Sequence, residues 1–269
     1  MVIVKNISTG KSSKLSYRIT GQGQPIILLH GFPVSGALWS PVWDSLAKDY
    51  TVLIPDLPGV GNSDAIDGLS MENMADVMKQ VLDNEGVDSA VVAGHSMGGY
   101  VAMEMAYKYP EAIKGLMMIH SIASADTEEK KEQRRKAIAL IGKGGKEAFV
   151  KQMIPTLFSH VTVETHPDIV ANQLAEALKT PAQSLIAFYN AMINRQNRVE
   201  VLPTATFPVF WAIGNADNLI PKEKIMQQSM LSSVNFVELY KDSGHMAMLE
   251  EPEQLTVDMI EFSSYCHAS

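Results

Sequence analysis

Cysteine is the scarcest residue in the chain: Cys266 stands alone among 269 residues. One thiol cannot build a disulfide framework or a cysteine-based structural zinc site, so both classes are excluded. Basic charge is also short, with 22 Lys and Arg against 30 Asp and Glu and a net charge of −8. An acidic chain without a basic cluster has little with which to neutralise the phosphates of nucleic acid or an anionic membrane. No run approaches the ~20 uncharged apolar residues that cross a bilayer. Lys5 and Asn6 interrupt the start where a secretory leader would carry its apolar stretch. The 46% of hydrophobic residues is enough for a full core and excludes disorder. The expectation is a soluble, cytoplasmic globular protein. The ending Cys266-His267-Ala268-Ser269 puts a thiol where a prenylation signal has one, but His267 is not aliphatic and no polybasic stretch precedes it. The reading there is a frayed tail.

Short apolar runs alternate with helical patterns. Residues 25–29, 51–54, 90–93, 116–119 and 209–213 run without polar alternation, as strands covered on both faces of a parallel sheet do. Residues 2–4 and 15–19 read as flanking strands. Met71, Met74, Ala75, Met78, Val81 and Leu82 recur at three- and four-residue steps, one buried helix face. Ser70 is a good N-cap there, with Asn73 completing only half a capping box. A second helix runs from 97 to 109 and stops at Pro110. This order predicts a doubly wound, mostly parallel α/β sheet. The alternation breaks after Ser121. Residues 125–202 offer only helix-like pieces, parted by Gly142-Lys143-Gly144-Gly145, His166-Pro167 and Thr180-Pro181. Residues 1–124 and 203–269 are therefore expected to form one core domain, and 125–202 an all-helical cap. The charge run from Glu128 to Lys136, with Glu132 four residues before Lys136, reads as a solvated helix face.

The segment Gly94-His95-Ser96-Met97-Gly98 lies between a buried strand and a helix. A serine on such a turn is held in a strained conformation that exposes its hydroxyl above the sheet edge. Its flanking glycines remove side chains that would collide with the neighbouring strand and helix. Serine is a weak nucleophile at neutral pH and needs a base, which needs an orienting group in turn. Among seven histidines, His95 neighbours the serine and points away from it, and His120 ends a buried run as a core residue would. His160 and His166 fall in the cap, where the surface is the default. His245, in Asp242-Ser243-Gly244-His245-Met246, sits on a glycine-containing loop before the last helix and is the expected base. Asp217 follows the run 209–213 at a strand's carboxyl end, where open α/β sheets build their sites. It is preferred as the acid over Asp126, read as an N-cap, and over Asp242, too near His245 in sequence to orient it.

With nucleophile, acid and base in the order Ser96, Asp217, His245, the chain resembles the α/β-hydrolase superfamily, in particular its capped, serine-nucleophile, esterase- and lactonase-like members. The resemblance covers essentially the whole chain. His30-Gly31-Phe32-Pro33 is similar to the family's oxyanion turn, and Asp56-Leu57-Pro58-Gly59-Val60-Gly61-Asn62-Ser63 to its D-x-x-G-x-G-x-S loop. It implies an eight-stranded sheet, an oxyanion hole from the backbone N–H groups of Phe32 and Met97, and structural roles for His30 and Asp56. Ser96 separates the chain from relatives with an aspartate at this turn, the haloalkane dehalogenases and epoxide hydrolases. Acyl transfer is implied, with no cofactor. No H-E-x-x-H helix or spaced Asp/His cluster offers a metal site, and Gly21-x-Gly23 and Gly59-x-Gly61 lack the third glycine of a dinucleotide site.

In the cap, Phe149, Met153, Leu157 and Phe158 recur at helical spacing, as do Leu185, Phe188, Tyr189 and Met192. Core packing is the plainer reading of that periodicity. As pocket lining, Met153, Phe158, Phe188 and Met192, with Met246 beside the base, are the expected substrate-binding residues and predict a mainly apolar pocket. The expected activity is hydrolysis of small to medium, mainly apolar carboxylic esters or lactones. The same triad also serves carbon–carbon bond hydrolases, perhydrolases and lyases, and a non-catalytic ligand receptor is a third reading. The expected partner is a small-molecule ester or lactone, with neither nucleic acid nor membrane. Monomer and homodimer are not distinguished.

Overall fold

The uninterrupted apolar runs lie at the centre of one sheet. The computed structural model describes residues 2–9 and 13–268, with strands β1 (Ile3–Thr9), β2 (Ser13–Thr20), β3 (Gln24–Leu29), β4 (Tyr50–Pro55), β5 (Ala90–His95), β6 (Ile113–Ile119), β7 (Val209–Gly214) and β8 (Asn235–Tyr240). Their order across the eight-stranded sheet is β1-β2-β4-β3-β5-β6-β7-β8. Only the β1–β2 and β2–β4 pairs are antiparallel; the other five are parallel. Every residue of β5 and β7 is buried, because helices cover both faces of a parallel sheet. The polar alternation of the flanking segments belongs to the outer strands β1 and β2.

The helices are α1 (Ser40–Leu46), α2 (Met71–Asn84), α3 (Met97–Lys108), α4 (Glu128–Leu140), α5 (Lys146–Met153), α6 (His160–Thr165), α7 (Pro167–Lys179), α8 (Ala182–Asn194), α9 (Lys222–Ser229), α10 (Ala247–Glu250) and α11 (Pro252–Ala268). At α2 the capping box is complete: Asn73 N–H donates to Ser70 Oγ at 3.2 Å, and Ser70 N–H to Asn73 Oδ1 at 2.9 Å. Asparagine here does what glutamate does at longer reach. Helices α4 to α8 all fall between β6 and β7, and the described residues there contain no strand. The glycine-rich segment parts α4 from α5 as a short π turn with Gly144 at φ +90°, a conformation that favours a residue without Cβ.

The tail is not frayed as far as it is described. Leu255, Met259, Phe262 and Cys266 form one buried face of α11, so the helix carries Cys266 to a fully buried place against Gly115. Burial pushes the thiol pKa up to about 12. Ser269, like Met1 and Gly10 at the start, lies outside the described residues. Among the described residues no helix is long and apolar enough to cross a membrane.

Candidate active site

Three loops at the carboxyl ends of β5, β7 and β8 carry the serine, the aspartate and the histidine. Ser96 joins β5 directly to α3 with φ +51° and ψ −115°, a left-handed backbone that a non-glycine residue holds only under constraint. The constraint is visible on both sides: Ser96 N–H donates to Ile119 O at 2.9 Å, and Ser121 Oγ donates to Ser96 O at 2.8 Å. The turn tolerates no side chain at its flanks. A Cβ on Gly94 would stand 2.4 Å from Gly98 O, and one on Gly98 2.3 Å from Leu29 O. Ser96 makes no capping bond with its side chain to α3, and it lines a cavity together with His245.

Asp217 and His245 meet across 28 residues of sequence, with His245 Nδ1 donating to Asp217 Oδ2 at 2.7 Å. The other carboxylate oxygen accepts the N–H groups of Leu219 at 2.8 Å and Ile220 at 3.1 Å, which fixes the carboxylate plane. Burial by itself raises the Asp217 pKa, but the charges and hydrogen bonds of His245 and His120 outweigh it and hold the carboxyl well below the usual carboxylate range. With Nδ1 engaged, His245 keeps Nε2 for proton transfer. Its loop is held from several sides. His245 N–H donates to Leu157 O at 2.7 Å, and Glu250 Oε2 accepts the N–H groups of Gly244 at 2.8 Å and Met246 at 3.2 Å. His95 Nε2 donates to His245 O at 2.8 Å. His95 therefore points away from the cavity into the core, as its place beside the serine implied.

His120 is buried, yet it belongs to this site rather than to the apolar core. Its Nε2 accepts the Ala247 N–H at 3.3 Å, which puts the proton on Nδ1, 3.6 Å from Asp217 Oδ2. His120, Asp217 and His245 thus bring three ligand-type atoms within 4.8 Å, a cluster that no sequence spacing shows. Its chemistry does not fit a metal. The two imidazoles turn N–H groups, not lone pairs, toward a carboxylate oxygen that already accepts one of them.

The oxyanion-type turn is braced as the resemblance implied. His30 Nδ1 donates to Gly31 O and Nε2 accepts the Leu57 N–H, both at 2.9 Å. Asp56 accepts the N–H groups of Gly36 and Asn62, each at 3.0 Å, and pairs with Arg18 at 3.0 Å. Phe32 lines the cavity, and Met97 opens α3, so its N–H is among those without an intrahelical acceptor.

The cavity above Ser96 has a volume of about 460 Å³. Of the five expected substrate-binding residues it is lined by Met153 and Met192. Phe158, Phe188 and Met246 are buried in the core instead. Phe158 belongs to the segment that closes on the histidine loop, where a Cβ on Gly244 would meet Phe158 C at 2.6 Å. Phe188 stands one ring back, edge-on to Phe32 with centroids 6.3 Å apart. Met246 is buried, with its N–H held by Glu250. Residues not expected as substrate-binding take their places: Tyr100, Tyr189 from the cap's apolar periodicity, and a polar wall of Ser124, Asp126, Lys130, Arg134 and Lys224. The pocket therefore joins this polar wall to a larger apolar lining. Asp126 is not an N-cap, since Thr127 caps α4. It pairs with Arg134 at 2.6 Å and Arg195 at 2.7 Å. Nor is the charge run of α4 wholly solvated. Lys131 and Arg135 face outward and pair with Glu128 and Glu132, while Lys130 and Arg134 face the cavity. Their spacing of four continues through Ala137, Ile138 and Ile141, the apolar side of the same helix, and that stripe is the signal that finds them.

A family profile described as the alpha/beta hydrolase fold matches residues 24–252, and the chain belongs to that family. It is 26% identical over 263 residues to a pimeloyl-[acyl-carrier protein] methyl ester esterase of Pseudoalteromonas atlantica, covering 92% of this chain and 97% of that protein. It is 31% identical over 223 residues to a putative carbamate hydrolase of Azorhizobium caulinodans, covering 79% of this chain and 80% of the other. A thermophilic esterase from Thermogutta terrifontis, solved with malate bound, is 29% identical and similar in structure with a TM-score of 0.93, over 98% of this chain and 99% of that one. The protein is a hydrolase of the α/β-hydrolase fold.

Proposed function

We propose that the protein is a serine hydrolase that cleaves small carboxylic esters through an acyl-enzyme. The observation that carries this reading is the Asp217–His245 pair, hydrogen-bonded at 2.7 Å, in the cavity that Ser96 also lines. Ser96 Oγ attacks the ester carbonyl carbon while His245 Nε2 takes the hydroxyl proton, and the carbonyl π pair moves onto oxygen. Asp217 holds the imidazole in the tautomer that can accept at Nε2 and stabilises the imidazolium that forms. The N–H groups of Phe32 and Met97 receive the developing oxyanion. Such donors act on charge that exists only in the transition state, and each is worth ~3–4 kcal/mol. Collapse of the intermediate expels the alkoxide, which takes the proton from His245. Water then attacks acyl-Ser96 with His245 as base, and the carboxylic acid leaves. The likeness to two esterases over nearly the full chain supports the ester class. The helical insert, residues 125–202, acts in this reading as the cap that shapes the pocket. A fluorophosphonate probe should label Ser96, and Ser96→Ala should abolish labelling and reduce ester turnover by ~10⁴–10⁶-fold. Full ester turnover in Ser96→Ala would sink the proposal.

A further inference from the structure

Ester hydrolysis at Ser96 does not by itself need a charged wall. Lys130, Arg134 and Lys224 line the cavity with Asp126, and Arg195 backs Asp126 from behind at 2.7 Å. Even with Asp217 included, four cations meet two carboxylates around this space, in a chain whose net charge is −8. Arg195 is fully engaged: it also donates to Ser124 O at 2.6 Å and lies 3.8 Å over the Tyr100 ring. Arg134 gives Nε to Asp126 at 2.6 Å. Lys130 differs from both. Its ammonium has one long hydrogen bond, 3.4 Å to Leu219 O, and no ion-pair partner among the described residues. Burial and the neighbouring Arg134 lower its pKa, so the charge is held at a cost that a bound anion would relieve. Phe32, Met153, Leu157 and Met192 also line the cavity, and the Tyr189 ring lies against Arg134, its centroid 5.3 Å from the guanidinium carbon; these apolar surfaces suit a short methylene chain.

We propose that Lys130 and Arg134 form a carboxylate subsite, and that the substrate is an ester bearing a free carboxylate at its non-reacting end. The monoester of a short dicarboxylic acid is the simplest such molecule. The proposal rests on the hydrolase reading of Ser96, with the carbonyl at Ser96 and the carboxylate at the α4 wall.

The test compares monomethyl glutarate with dimethyl glutarate, which has the same chain with the charge capped. Wild-type kcat/KM should favour the monoacid by about tenfold or more, mainly through KM, because the ion contact is equal in ground and transition states. The preference should shrink with added salt. It should collapse in Lys130→Met and return in Lys130→Arg. A second arm needs no turnover: calorimetry on Ser96→Ala should show the same preference in Kd, lost when Lys130→Met is added. Dimethyl glutarate turned over and bound as well as the monoacid overturns the subsite and leaves the hydrolase reading intact. A preference that survives Lys130→Met also overturns it. If neither ester is cleaved and Ser96 takes no fluorophosphonate label, but the monoacid binds through Lys130, the subsite stands and the serine-esterase reading fails.

Discussion

Asp217 is where a single atom separates chemistry from folding. One of its oxygens accepts two backbone N–H groups, from Leu219 and Ile220, and an amide oxygen can do the same. The other accepts the His245 Nδ1–H, which an amide NH₂ cannot. Asp217→Asn should keep its turn while forcing His245 toward the wrong tautomer. The expected result is a fall in kcat of ~10³–10⁴-fold with the circular dichroism of the folded protein retained. Asp126 is the contrasting carboxylate. It lies between Arg134 and Arg195, so Asp126→Asn leaves two enclosed guanidinium groups with one acceptor between them. Its main signature should be a lowered Tm, since unpairing a buried ion costs ~3–5 kcal/mol. A loss of kcat larger in Asp126→Asn than in Asp217→Asn would reassign the orienting role.

At the scale of elements, α10 fixes the histidine loop relative to the helical insert. Glu250 Oε1 accepts the Ser159 N–H and the Thr162 hydroxyl, both at 2.8 Å, while Oε2 takes the N–H groups of Gly244 and Met246. Glutamine can serve one side of this clamp and not the other, because its NH₂ would face N–H donors. Glu250→Gln should lower kcat on a simple ester by ~10–100-fold, the scale of a small misplacement of a catalytic group. KM should move less, and restoring contact by Glu250→Asp should fail because the shorter side chain cannot span both segments. A wild-type kcat in Glu250→Gln would show that the loop holds itself. The clamp was not legible in sequence, since Glu250 is one acid among 30 Asp and Glu. What reads well are elements whose surroundings are uniform. The runs that became β3 to β7 are buried along most of their length and announce themselves by lacking polar alternation. Ser96 and Asp217 were findable because each closely follows such a run, whereas His245 follows the partly exposed β8 and was found by its glycine-containing loop before the last helix. Periodicity names a buried face without saying what stands opposite, so it could not separate Met153 and Met192, at the cavity, from Phe158 and Phe188, in the core. Charge conceals as well: Lys130 and Arg134 alternate with residues that pair on the outside of α4, and only their line with Ala137, Ile138 and Ile141 reveals the inward turn.

Across the whole molecule, three histidines lie fully buried, and burial lowers the pKa of His30, His95 and His120 below the ordinary value of 6.5. In the unfolded chain each would titrate near that ordinary value. Below about pH 6.5 the unfolded state therefore binds more protons than the native state, and stability must fall as pH falls. Each histidine adds about 1.4 kcal/mol of lost stability per pH unit until its own folded pKa is reached. Asp217 and Asp126, whose carboxyl pKa values are depressed, act in the same direction, but only below about pH 4, where unfolded carboxylates begin to protonate. The acid limb of stability should thus begin near pH 6.5 rather than near pH 4. It should also begin at the site. His30 Nε2 and His120 Nε2 accept the N–H groups of Leu57 and Ala247, so a proton on either nitrogen sets N–H against N–H beneath the oxyanion turn and beside the His245 loop. Urea midpoints measured at pH 8, 6.5, 5.5 and 4.5 should stay level across the first step and drop steeply over the next two. Ester turnover after incubation at pH 5 should be lost together with the fold. A midpoint that holds steady from pH 7 to 5 would mean that these buried imidazoles find a way to carry charge, and the acid sensitivity argued from them would be wrong.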